Sequence, residues 1–78
     1  RRIIGRDTHV AFGVEIVDSI VMDHCRVGEG TMIHRGIVDR YTVLEPGSEI
    51  AADAAGRPGA ATVSGDLVVV PRGRTRPL

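Results

Sequence analysis

Aliphatic residues recur between Ile3 and Asp53 in a pattern that repeats every seventeen residues. Within one copy they fall at steps of six, six and five, from Ile4 to Val10, Ile16 and Val21. An α-helix would repeat its apolar positions every three or four residues, and a flat strand every two. The spacing instead predicts a backbone that turns a corner about every six residues. We therefore predict an all-β parallel β-helix of the hexapeptide-repeat type, with three coils of 17 residues.

Stacking the three copies aligns three columns of inward-pointing aliphatics and one column of glycine. Successive coils would lie about 4.8 Å apart, at strand spacing, so that like side chains stack on like. The glycine column predicts a corner where the backbone needs a positive φ. The inward columns are Ile4, Val21 and Val38, then Val10, Val27 and Leu44, then Ile16, Ile33 and Ile50, and the glycines are Gly13, Gly30 and Gly47.

Ile3, Ile20 and Ile37 form a further column, which the pattern places on the outer face. A row of exposed isoleucine is too apolar for free solvent, so we expect it to pack against a catalytic domain or a second β-helix. Repeat units also need neighbours or caps to bury their faces. Because the chain begins with Arg1 in mid-pattern, we interpret it as part of a longer polypeptide.

The repeat fades after Asp53. Residues 54–62 read as a loop of small residues, and residues 63–78 as capping strands followed by a basic tail. The turn residues Gly65 and Asp66 between two β-rich segments predict a hairpin. This hairpin would cover the exposed edge of the last coil.

Composition excludes several functional classes. Ten basic residues balance ten acidic ones, and only two residues are aromatic, which argues against a nucleic-acid partner. The longest apolar run, Leu67 to Val70, is too short to span a membrane. The single Cys25 excludes an internal disulfide and fits a reducing cytoplasm. It aligns with Thr8 and Thr42, and we expect that column at a corner or on the surface.

Several segments match a known domain. Residues 27–30 read Val-Gly-Glu-Gly, 37–40 read Ile-Val-Asp-Arg, and 46–50 read Pro-Gly-Ser-Glu-Ile. The tail adds Thr-Val-Ser at 62–64 and Val-Val-Val-Pro-Arg-Gly at 68–73. Nearly the whole chain thus resembles the C-terminal left-handed β-helix of glucose-1-phosphate adenylyltransferase (ADP-glucose pyrophosphorylase). The left-handed sense comes from this resemblance, since most parallel crossovers are right-handed.

The resemblance implies a role beside a catalytic domain. Such enzymes are cytoplasmic transferases that make ADP-glucose and pyrophosphate from ATP and glucose 1-phosphate for glycogen biosynthesis. Their chemistry belongs to an N-terminal nucleotidyltransferase domain that needs Mg²⁺. No glycine-rich phosphate-binding motif occurs here, so we predict no catalytic residue and no cofactor in this segment. The implied role is homotetramer assembly and allosteric regulation by a phosphorylated sugar.

The same resemblance implies an effector phosphate site formed by Arg40, Arg72 and Arg76. Guanidinium groups bind phosphate oxygens bidentately, which suits a cluster of arginines to this task. The alternative for Arg40 is a solvated side chain paired with Asp39 or Glu45.

Two other functions are left open by the sequence. One is a fragment of a hexapeptide-repeat acyltransferase that uses His24 or His34 as a general base. His24 falls in one column with Asp7 and Tyr41. The other is a fragment of a different sugar-phosphate nucleotidyltransferase. The three histidines fall in different columns, so we predict no metal site.

Overall fold

The computed structural model describes residues 1–73, which form eleven short β-strands. The strands belong to three sheets, with the orders β1-β4-β7-β11-β10, β2-β5-β8 and β3-β6-β9. Their bounds are β1 Arg2–Ile4, β2 His9–Val10, β3 Glu15–Val17, β4 Ser19–Val21, β5 Arg26–Val27, β6 Met32–His34, β7 Gly36–Val38, β8 Val43–Leu44, β9 Glu49–Ile50, β10 Thr62–Ser64 and β11 Leu67–Val70. None of the described elements is a helix able to cross a membrane.

Strands β1 to β9 wind through the three sheets in turn, and each of β1 to β6 pairs in parallel with the strand one repeat later. Ile3 lies beside Ile20, Val10 beside Val27, and Ile16 beside Ile33. The next coil continues the same columns. This pairing confirms the all-β parallel β-helix that the spacing of aliphatic residues predicts.

The inward columns form the hydrophobic core. Val21, Ile33, Val38 and Ile50 have no exposed surface, because coils lie above and below them or the terminal hairpin covers them. Ile4 and Val10 belong to the same columns but remain exposed. Among the described residues, no strand pairs with the free edges of β1, β2 and β3.

The predicted glycine corner is confirmed, since Gly13, Gly30 and Gly47 have φ values of 77°, 73° and 77°. Two further corners use residues other than glycine in the left-handed region. The first holds Asp7, His24 and Tyr41, with φ values of 54°, 59° and 59°, and the second holds Asp18 and Arg35 at 49° and 52°. Aspartate and histidine adopt this conformation more readily than bulky residues such as Tyr41 and Arg35, for which the repeat pattern does not predict it.

The column of Thr8, Cys25 and Thr42 directly follows the corner formed by Asp7, His24 and Tyr41, which agrees with the corner position and not with the surface alternative. Cys25 is fully buried, and Thr42 is nearly so. Each side chain reaches a backbone carbonyl of the next level: Thr8 Oγ1 donates to Met22 O at 2.7 Å, and Cys25 Sγ to Asp39 O at 3.1 Å. These polar contacts between coils explain why small donor side chains occupy a buried column.

The chain leaves the stack after β9 and returns to it at β11. The loop between them is closed by Arg57, whose Nη1 donates to the carbonyls of Ala52 and Ala54 at 3.1 and 2.9 Å. Strands β10 and β11 form the predicted antiparallel hairpin. Strand β10 begins at Thr62, which the sequence-based boundary assigned to the loop, because Thr62 pairs with Val69.

Strand β11 pairs in parallel with β7, with Val70 beside Val38, and so adds another level to the first sheet. The next three residues follow the corner path of the coil below. The Asp39 N–H donates to Val70 O at 3.0 Å, Thr42 Oγ1 to Pro71 O at 3.3 Å, and the Gly73 N–H to Arg40 O at 3.3 Å. The hairpin therefore covers the edge of β7, as predicted, and the return segment, residues 71–73, extends the first corner.

Candidate functional site

The return segment brings two of the predicted site residues together. Val70 lies beside Val38 and the Gly73 N–H binds the Arg40 carbonyl, so Arg72 lies one level beyond Arg40 in the same column. Levels of a parallel β-stack are about 4.8 Å apart. Both arginines are exposed. Arg76, the third predicted site residue, lies outside the described residues.

Within the described residues, Arg40 has one weak ionic partner. Its Nε lies 3.9 Å from Asp39 Oδ1, and both side chains are partly exposed. The same carboxylate oxygen accepts a shorter hydrogen bond from the Arg40 backbone N–H at 2.7 Å. Exposed ion pairs of this kind contribute about 0–1 kcal/mol. The Arg40 guanidinium therefore remains able to bind an anion from solution.

Arg72 lies over an aromatic ring. Its guanidinium carbon is 5.1 Å from the centroid of Tyr41, within the range of a cation–π contact. The Tyr41 ring also stacks with the His24 ring, with centroids 4.9 Å apart and an angle of 12° between the planes. His24 Nδ1 in turn lies 3.0 Å from Asp7 Oδ2. We call Asp7, His24, Tyr41 and Arg72 the corner stack.

The carboxylate of Asp7 contacts two histidines. Beside the bond to His24, its Oδ1 lies 3.5 Å from His9 Nε2. The hydrogen bond from His24 is the main cause that lowers the pKa of Asp7, and His9 adds to it, while desolvation opposes both. The expectation that the histidine columns stay apart is thus wrong for His9 and His24. Within residues 1–73, no group of three or more histidine, cysteine, aspartate or glutamate side chains could hold a metal ion.

His34, the other candidate base, lies on the third sheet. Its Nε2 is hydrogen-bonded to Glu15 Oε2, diagonally across β3 and β6. Cys25 is enclosed in the core, where burial raises the pKa of its thiol. A buried thiol with a raised pKa is a poor nucleophile.

An apolar column runs along the outer face of the first sheet. It contains Ile3, Ile20, Ile37 and Val69, which lie side by side in register on β1, β4, β7 and β11. Ile3 and Ile20 are 57% and 36% exposed. The hairpin thus lengthens the isoleucine column that the sequence predicts, and we call these four residues the outer stripe.

The resemblance identified Arg40 and Arg72, but the sequence did not reveal the contact between Tyr41 and Arg72. The 17-residue repeat placed Tyr41 in one column with His24 and Asp7, and this shared column is the signal that could have predicted their stacking. It could not show that Arg72 returns to this corner, because the chain makes a detour between β9 and β11.

Comparisons with known proteins agree with the fold. Residues 1–70 match the family described as GlmU-like, C-terminal hexapeptide. A glucose-1-phosphate adenylyltransferase from Pseudarthrobacter chlorophenolicus is 35% identical over 65% of this chain. Glucose-1-phosphate adenylyltransferase 1 from Vibrio vulnificus is 31% identical over 94%, and the Aliivibrio fischeri enzyme 30% over 94%.

The chain spans only 11% of the length of the first of these relatives and 18% of the other two. No solved structure matches it. The resemblance to glucose-1-phosphate adenylyltransferases inferred from short motifs is confirmed by these relatives. With its family match over residues 1–70, the chain belongs to the GlmU-like C-terminal hexapeptide family.

Proposed function

We propose that this chain is the assembly and regulatory β-helix of a glucose-1-phosphate adenylyltransferase, placed after an N-terminal nucleotidyltransferase domain. The parent enzyme would make ADP-glucose and pyrophosphate from ATP and glucose 1-phosphate, in the cytoplasm, as a homotetramer. Relatives of that name over 94% of the chain support the proposal. We further propose a left-handed helix of three 17-residue coils, in line with the 17-residue register of the parallel strands.

The observation that carries the regulatory part is the position of Arg40 and Arg72 on adjacent levels of one column. Two arginines whose backbones lie on adjacent levels, about one strand spacing apart, have side chains long enough to reach separate oxygens of a single phosphate. Arg40 belongs to the last coil, whereas Arg72 belongs to the return segment. A phosphorylated sugar bound by both would tie the return segment to the coil. Arg76, which the resemblance adds to the proposed site, lies outside the described residues.

Mg²⁺ would serve the catalytic domain of the parent enzyme and not this segment. Mg²⁺ prefers several oxygen ligands in octahedral geometry. Within residues 1–73, no group of three or more His, Cys, Asp or Glu side chains could hold a metal ion, and the partners of Asp7 are the nitrogens of His24 and His9. The described residues therefore do not fit a Mg²⁺ site, and no step on this chain depends on the ion.

The outer stripe supports the assembly part of the proposal. It is a continuous apolar column of four residues that ends on the capping hairpin. Burial of its exposed aliphatic surface would contribute about 25 cal/mol per Å² to association. Its occupant would be the catalytic domain or a second β-helix of the homo-oligomer.

A chimeric enzyme tests this function. This chain would replace the matching segment of the Vibrio vulnificus relative, and adenylyltransferase activity would be measured against sugar phosphate concentration. We expect an active enzyme in which Arg40→Ala raises the concentration for half-maximal activation about tenfold or more, since hydrogen bonds to charged groups contribute about 1.5–3 kcal/mol. Arg26→Ala, an exposed arginine on the second sheet, is the matched control. Unchanged activation in Arg40→Ala would refute the regulatory role.

The acyltransferase alternative has one observation in its favour, the bond between His24 Nδ1 and Asp7 Oδ2 at 3.0 Å. A carboxylate that orients a histidine is a common arrangement for a general base. Incubation of the chain with acetyl-coenzyme A and an amino sugar would test it. Acetyl transfer by the wild type that is abolished in His24→Gly would favour the acyltransferase function. No acetyl transfer by the wild type would reject this function.

A further inference from the structure

We propose that Tyr41 positions Arg72 for the effector phosphate and thereby preorganises the two-arginine site. This inference rests on the proposed regulatory function. It assigns to an aromatic side chain a role in a site that was inferred from arginines alone. The geometry of the corner stack supports this role.

The Tyr41 ring is held between two partners. The Arg72 guanidinium lies over it at 5.1 Å, and the His24 ring stacks on it at 4.9 Å with nearly parallel planes. His24 is itself fixed through Nδ1 by Asp7 at 3.0 Å. His24, held by Asp7, therefore supports the Tyr41 ring. The position of this ring in turn determines where the Arg72 guanidinium lies.

The Tyr41 ring contacts an arginine side chain that has no ionic partner among the described residues. Among residues 1–73, the ionic pairs of arginine side chains are Arg35 with Asp66 and Arg40 with Asp39, and neither includes Arg72. A long, exposed arginine loses considerable rotamer freedom when it binds an anion. A cation–π contact that already orders Arg72 lowers this cost and leaves its N–H groups free to bind phosphate.

The backbone at position 41 does not by itself require an aromatic residue. Tyr41 has a φ of 59°, in the left-handed region that glycine and asparagine adopt at lower cost. Asp7 and His24 adopt the same conformation at this corner, with φ values of 54° and 59°, so the corner accepts several residue types. What the ring adds at this position is its contact with Arg72 and its stacking on His24.

The test compares two variants of the 78-residue chain by NMR titration with inorganic phosphate. Tyr41→Phe keeps the ring, and Tyr41→Asn removes it while tolerating the left-handed backbone. We expect Tyr41→Asn to weaken phosphate binding about two- to fivefold, the size of an exposed cation–π contact, and Tyr41→Phe to leave it unchanged. The melting temperature of Tyr41→Asn should not fall in parallel, because the strain at this corner is relieved.

A second readout reports the contact directly. Ring currents should shift the Arg72 side-chain resonances upfield in the wild type and in Tyr41→Phe, and this shift should vanish in Tyr41→Asn. The Arg72 chemical shifts of the wild type test the contact even if a variant fails to fold. An Arg72 signal at its ordinary position in the wild type, or equal phosphate affinity in all three proteins, would overturn the inference.

Arginine variants separate this inference from the function on which it rests. If Arg40→Ala and Arg72→Ala weaken phosphate binding but Tyr41→Asn does not, only the positioning role fails. If neither arginine variant changes the affinity for phosphate, the effector site itself fails.

Discussion

Replacement of Ile33 by alanine should remove a large part of the stability of the fold. Ile33 has no exposed surface and lies between Ile16 and Ile50 in the centre of its column. The substitution deletes three carbons, which corresponds to about 2.5 kcal/mol of transfer free energy. The cavity left between the two neighbouring coils raises the cost to about 3–4 kcal/mol.

Ile3→Ala is the matched control, because it makes the same chemical change on the outer face. Ile3 is 57% exposed, so less than half of its transfer free energy is at stake, about 1 kcal/mol with no cavity. Urea unfolding followed by far-ultraviolet circular dichroism measures both values. For a chain of this size, the Ile33 variant should melt about 12–30 °C below the wild type. Equal costs for Ile33→Ala and Ile3→Ala would refute the assignment of the inward columns.

Three other predictions follow from individual positions. Gly28→Ala should lower the free energy of unfolding by about 1–3 kcal/mol, because the added Cβ would meet the backbone of the next coil at 2.5 Å. Gly59→Ala should be nearly neutral, because nothing lies within 4 Å of its added Cβ. Chemical denaturation compares the two variants. In His24→Gly, the pKa of Asp7 should rise toward its ordinary value in a carboxyl NMR titration. Since folding lowers this pKa, the wild-type contact stabilises the fold above the ordinary carboxyl pKa and is lost as the pH falls. The buried Cys25 thiol should react with a disulfide reagent on the order of 100-fold more slowly in the native than in the unfolded chain.

Outcomes against these predictions are equally specific. Equal stability of the two glycine variants would show that the coils are not in close backbone contact at position 28. An Asp7 pKa that is insensitive to His24 would remove the hydrogen bond at the base of the corner stack. Rapid native reaction of Cys25 would place it at the surface, which was one of the two positions that its column predicted.

The sequence was sufficient to predict the coils because one physical demand repeats at a fixed interval. Each inward position needs an aliphatic side chain that stacks on another, and Ile16, Ile33 and Ile50 show this directly. The glycine corner was also predictable, since a positive φ selects glycine strongly. Structural requirements of this kind can be predicted from the residue type at each position.

Other features carry no comparable signal. Tyr41 and Arg35 adopt a positive φ against their own preference, because neighbouring coils compensate the strain. Cys25 lies in the core because its Sγ finds a carbonyl one level away, a contact that pattern analysis does not see. The approach of Arg72 to Tyr41 depends on a detour of the chain that interrupts the period. The candidate site thus combines repeat geometry with one non-repetitive return of the chain.

The most direct test of the account is a double-mutant cycle for phosphate binding with Arg40→Ala, Arg72→Ala and the double variant. If one anion is bound by both arginines, the losses in binding free energy should not add, and the coupling should exceed about 0.5 kcal/mol. Strictly additive losses, or phosphate affinity independent of both residues, would contradict a shared effector site at this corner of the β-helix.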